Sequence, residues 1–98
     1  MAKIKWTIEA ECWVKDIFDF ISLDSGEAAA RVIGEIYERA QILTRFPKIG
    51  HRYEAIENRE VRILLYGHYR IAYLIKPDDD IDILGVFHGS LDIQRYLM

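Results

Sequence analysis

Residues 87–98 read FHGSLDIQRYLM and place His88, Ser90, Asp92, Gln94, Arg95 and Tyr96 within nine positions. An imidazole, a hydroxyl, a carboxylate, a guanidinium and a phenol are the groups from which acid–base catalysis, nucleophilic attack and anion binding are built. Ser90 follows a glycine, but no G-x-S-x-G surrounds it and no histidine or acid is placed by sequence to serve it, so a hydrolase triad is not indicated. His51, His68 and His88 show no paired spacing and Cys12 is the only cysteine, which leaves no metal-site signature. Asp78 to Asp80 is too short a ligand run for a calcium loop and reads as a solvated turn. Neither a metal nor another cofactor is expected. Two uses remain for His88, general acid or base and hydrogen-bonding residue at a strand end; Tyr96 either donates its hydroxyl or covers an edge of the core. The tail is also apolar, with Leu91, Ile93 and Leu97 able to join Tyr96 on a short terminal helix, which reads as a docking element.

The elements that must position these groups follow from periodicity. KIKWTIE alternates, with Ile4, Trp6 and Ile8 on one face, and predicts a half-buried strand. From Ala10 the period becomes helical through Trp13, Val14, Ile17, Phe18 and Ile21, to about Leu23. Ser25 is the expected N-cap of a second helix whose seam is Ala29, Ile33, Ile36, Ala40 and Leu43, with Arg31, Glu35, Glu38 and Arg39 facing water. So short a break predicts an antiparallel helical hairpin. Phe46-Pro47 ends the second helix, because the residue before proline is pushed out of the helical region. KIGHRYEAIENRE has no sustained period and reads as a long connection, of a kind that is either functional or an ordinary loop. Val61–Tyr66, Tyr69–Lys76 and Ile81–Phe87 then predict three strands, the first two joined by Gly67-His68 as a type II′ turn. The expected fold is α+β over residues 1–98 as a single domain: strand, antiparallel helical hairpin, three-stranded antiparallel meander, in one sheet with the helices on one face and the other face open.

Composition narrows the function. With 51% hydrophobic residues, one cysteine and no apolar run of spanning length, the chain reads as a cytoplasmic protein without a membrane segment. A net charge of −3 argues against strong direct DNA binding, which depends on neutralising phosphates. The charge is uneven: residues 45–70 carry six Lys or Arg against three Glu, whereas residues 1–44 carry five against eight Asp or Glu. The middle is the first candidate for an acidic partner.

Several stretches carry a resemblance to a known family: L-x-x-F-P-x-x-G at Leu43–Gly50, VR-x-L at Val61–Leu64, YRI-x-Y at Tyr69–Tyr73, and His88-Gly89 followed by Asp92. In this order, over nearly the whole chain, they resemble the ParE/RelE superfamily of bacterial toxins, the small toxic partners of type II toxin-antitoxin pairs often named plasmid stabilisation proteins. The resemblance implies a cognate antitoxin and one of two activities: ParE-like inhibition of DNA gyrase by binding, or RelE-like cleavage of messenger RNA in the ribosome. Cleavage requires a base, an acid and phosphate-binding cations, and the resemblance would assign these roles to Arg62, Arg70, His88 and Tyr96. Related tails carry an arginine just before the aspartate, and Leu91 stands there instead. That departure favours the ParE-like, non-enzymatic branch and keeps a third reading, a diverged nontoxic binding module. Contact with target or antitoxin is then expected from Phe20, Tyr37, Arg52, Arg62, His88, Arg95 and Tyr96, the antitoxin supplying an amphipathic helix and an extended segment along a sheet edge.

Overall fold

The computed structural model describes residues 2–53 and 59–88. Strand β1 (Ile4–Trp6) lies parallel to β5 (Ile81–His88), with Ile4 opposite Ile81 and Trp6 opposite Ile83. It ends at Trp6, three residues earlier than the alternation predicts. The Thr7 side chain accepts from the Ala10 amide at 3.1 Å while its hydroxyl and amide donate to the Ile83 carbonyl at 2.7 and 3.2 Å, so one residue both caps helix α1 (Ile8–Ser22) and pins it to β5. Ile8, expected on the buried strand face, opens α1 instead and is 79% exposed.

Helix α2 (Gly26–Ala40) begins where predicted, with the Ser25 hydroxyl accepting from Ala28 N at 3.1 Å. Its seam is the expected one. Ala29, Ile36 and Ala40 are buried, Leu43 continues the stripe through a 3-10 turn (Gln41–Thr44), and Ile33 packs beside them. With Ala10 and Val14 of α1, the side chains of Ile33, Ile36, Ala40 and Leu43 meet Leu64, Ile71, Tyr73, Ile83 and Val86 of the sheet in the main core. Glu35 and Arg39 do more than face water: Glu35 accepts from the Tyr66 hydroxyl, and Arg39 Nε donates to the Leu65 carbonyl at 3.2 Å.

The sheet has five strands in the order β1-β5-β4-β3-β2, where the sequence predicts four. The additional strand, β2 (His51–Arg52), lies in the long connection and pairs antiparallel with β3 (Glu60–Tyr66), His51 opposite Ile63. Two residues cannot show an alternation, so nothing in the sequence marks it. Between β3 and β4 (Tyr69–Ile75), Tyr66 pairs with Tyr69 across Gly67-His68. Only Gly67 of that pair has positive φ, at 56°, as a type II′ turn requires. The β4/β5 register shifts between Ala72 and Tyr73, which face Gly85 and Ile83, so Leu84 is an extra residue on β5. The bulge restores phase: Ile81, Ile83, Val86 and His88 all lie on the helix-covered face.

The opposite face is not bare. Ile63, Ala72 and Phe87 form a second, smaller cluster there, joined by Trp13, Tyr53 and Leu84. Trp13 reaches it because β1 stops opposite Ile83, leaving the last residues of β5 alongside α1; its ring meets Phe87 edge-on at 4.7 Å. Among the described residues no helix is long and apolar enough to cross a membrane.

Candidate functional site

Where α1 passes the end of β5, side chains at helical spacing face the start of β4 across an apolar groove. Trp13, Asp16, Ile17, Phe20 and Ile21 line one wall, Tyr69 and His88 the other, around a volume of about 310 Å³. The spacing of the helical residues is that of a single face, so α1 turns one stripe into the core with Ala10 and Val14 and leaves a neighbouring stripe over the groove. Phe20 is 77% exposed at its lip. Opposite Tyr69 in the ladder, His88 sets its ring edge-on to Tyr69 at 5.8 Å and stacks it beside His68 at 6.1 Å. One carboxylate, Asp16, and one imidazole thus border an otherwise apolar recess. Outside it, Lys15 bonds Asp19 at 2.8 Å, and that hydrogen bond, with the charge of Asp19, holds the lysine above its usual 10.5. The pair is solvated and stabilises the helix little.

A second arrangement lies further along the strands and is structural. The buried Tyr73 hydroxyl donates to the Pro47 carbonyl at 2.7 Å and accepts from the Gly50 amide at 3.0 Å. Arg62, across the ladder from Tyr73, donates through Nη1 to the carbonyls of Gly50 at 2.7 Å and Lys48 at 3.1 Å, and through Nε to Glu60 at 2.9 Å. Together they fasten residues 47–50 to β3 and β4. Arg62→Leu is therefore expected to lower stability by about 2–3 kcal/mol, the worth of charge-assisted bonds whose carbonyl partners are left wanting, as read by urea unfolding.

The structure brings some predicted site residues together and separates others. Phe20 and His88 share the groove. Tyr37 packs on Trp6 with ring centroids 4.3 Å apart and belongs to the edge of the core; burial, and then the charge of Glu11, push its phenol upward. Arg52 lies exposed on β2, paired opposite Arg62. Arg70 is exposed on the far face between Leu65 and Phe87. The short terminal helix, Arg95 and Tyr96 lie outside the described residues. Arg62 and His88 lie on the helix-covered face, opposite Tyr73 and Tyr69, about 13 Å apart by strand rise, and Arg70 lies on the other face. The described members of the phosphate-binding set therefore do not converge.

Sequence reasoning did not identify Asp16 or Tyr69 as groove residues. Their helical or strand positions were legible, but which wall each would line depends on α1 crossing the end of β5.

Comparison with known proteins decides the family. The family model described as the ParE toxin of the type II toxin-antitoxin system parDE matches residues 4–93. The chain belongs to the ParE toxin family. It is thus a toxin of the type II toxin-antitoxin class. A relative from Sinorhizobium fredii (strain NBRC 101917 / NGR234), named "Putative toxin Y4kP", is 33% identical over 87 residues, which cover 89% of this chain and 88% of the relative. The fold matches a solved chain of a chromosomal ParDE toxin-antitoxin system from P. aeruginosa with a TM-score of 0.75 at 21% identity, covering 92% of this chain and 98% of that one. The stretches that resemble the family meet in the ParE fold: Pro47 and Gly50, Arg62 and Tyr73 are the members of the hydrogen-bonded fastening. They are fold-making residues of this ParE chain, and its groove is a separate surface.

Proposed function

We propose that this ParE-family toxin acts by binding and inhibiting DNA gyrase in the cytoplasm, without catalysing a reaction of its own, and that a cognate antitoxin neutralises it by laying an amphipathic helix into the α1 groove. The groove itself carries the reading. A phenylalanine 77% exposed at the lip of an apolar recess is what a helical partner with apolar anchors would cover. The scatter of Arg62, Arg70 and His88 speaks against the ribonuclease alternative, because a phosphate in flight needs its cations gathered around one point.

The two activities part in one pair of assays with purified protein. Inhibition of gyrase supercoiling at near-equal molarity, with translated message left intact, is expected. Codon-positioned cuts in message on the ribosome, with supercoiling unaffected, would replace this reading with the RelE-like one; silence in both assays would leave a nontoxic binding module.

A further inference from the structure

Asp16 is the one carboxylate among the described residues that line the α1 groove; Trp13, Ile17, Phe20 and Ile21 beside it are apolar, and the facing wall is Tyr69 and His88. The side chain is exposed, and its sequence neighbour Lys15 feels its charge but is bonded to Asp19 at 2.8 Å. Among the described residues no hydrogen bond or ion pair is made to Asp16. Hydration suits it in the free chain. A helix laid into the groove removes that water, and a carboxylate covered by apolar surface is costly to bury unless a cation arrives with the cover.

The ground around the groove has the same sign. Helix α1 carries Glu9, Glu11, Asp16 and Asp19 against Lys15. Helix α2, packed on it, carries Glu27, Glu35 and Glu38 against Arg31 and Arg39, so the two helices hold seven carboxylates and three cations. Of those cations Lys15 is bonded to Asp19, and Arg39 donates to the Leu65 carbonyl. The facing wall does not reverse this: His68 stacks beside His88 at 6.1 Å, and Arg70, next to Tyr69 in β4, lies on the far face of the sheet opposite Phe87. An acidic helix meets repulsion along this hairpin, whereas one with Lys or Arg beside its apolar anchors is attracted to it.

Spacing fixes where the cation must stand. Trp13, Asp16 and Phe20 follow one another at three and four residues, so Asp16 lies between the two rings on a length of helix of roughly 10 Å. We infer that Asp16 is the residue by which the groove selects its antitoxin: the bound helix sets a Lys or Arg against it, within about one turn of the apolar side chains that cover Trp13 and Phe20. This rests on the groove reading above and gives its occupant a charge.

The test uses the full chain and its cognate antitoxin, with affinity measured by isothermal titration in low and high salt beside melting curves. Asp16→Asn is expected to weaken binding about tenfold and to flatten its salt dependence, and Asp16→Lys to weaken it about 100-fold or more, because like charges then meet in the groove. Changing the antitoxin's groove-facing Lys or Arg to Glu is expected to return Asp16→Lys to within about tenfold of the wild-type affinity. Glu38→Lys makes the same change in net charge at an exposed α2 position outside the groove, and is expected to shift affinity less than about threefold. Wild-type affinity in Asp16→Lys, an equal loss in Glu38→Lys, or no recovery with the reversed antitoxin would overturn the inference. If Phe20→Glu abolishes binding and Asp16→Lys does not, the groove reading stands and only this inference falls; if neither changes affinity, the groove reading falls and takes this inference with it.

Discussion

Phe20→Glu is expected to weaken antitoxin binding by about two to three orders of magnitude while leaving the fold intact. The side chain is 77% exposed in the free chain, so its removal costs the core nothing. Once a partner helix covers the groove, a phenylalanine anchor contributes about 2–3 kcal/mol from the apolar area it loses to contact. Glutamate forfeits that and places a carboxylate in an apolar recess already bordered by Asp16, adding desolvation and like-charge repulsion of about 1–2 kcal/mol. Isothermal titration of the antitoxin against wild type and variant, beside melting curves for both, reads the effect. Equal affinities would remove the groove from the account.

The largest effect on stability is expected at Gly50. A Cβ there would lie 2.7 Å from the Ile63 carbonyl oxygen and 2.7 Å from the Tyr73 hydroxyl, with ring carbon Cε1 at 2.8 Å. Neither the β3 backbone nor a buried ring bonded at both lone pair and proton can move aside cheaply. Gly50→Ala is expected to cost about 3 kcal/mol, at the upper end for overpacking, and to lower Tm by roughly 15 °C in a chain of this size. A melt within about 2 °C of wild type would show that the fastening yields. The same tyrosine gives the fastening a pH signature. Burial raises the Tyr73 phenol above 10.0, against the lowering effects of the Gly50 amide and the Arg62 charge. An acid whose folded value is raised is stabilising while protonated, so this contribution is intact below pH about 10 and declines as pH climbs through the folded value. Urea midpoints measured from pH 8 upward should fall in the wild type, and less steeply in Tyr73→Phe.

Much of this molecule is written in local pattern. The Ser25 cap, the Ala29–Leu43 seam and the Gly67-His68 turn each need only a few adjacent residues, and each is found where the pattern puts it. Ile8 shows the limit: alternation put it on a strand face, but Thr7 satisfies the helix amides and the Ile83 carbonyl together, and that outweighs one buried isoleucine. The two-residue β2 and the Leu84 bulge exist only through pairing with distant strands. Phe20 and His88 were legible singly, as a surplus apolar residue on a helix and a polar residue at a strand end. Their meeting in one groove is set by the parallel seating of β1 against the first half of β5, which frees the second half for α1. Arg62 and Tyr37, expected as contact surface, also make contacts within the fold that the sequence does not show, for a related reason. Charge and aromaticity mark a residue as useful without saying which way the fold turns it, and here one ties down a loop and the other packs on Trp6.

The groove is tested most directly by hydrogen exchange of the chain alone and in complex with its antitoxin. Covering the recess should suppress local opening of α1, so protection is predicted to rise across residues 13–21 and at the strand ends around Tyr69 and His88. Protection that leaves residues 13–21 unchanged, and appears instead on α2 or the far face of the sheet, would contradict the account.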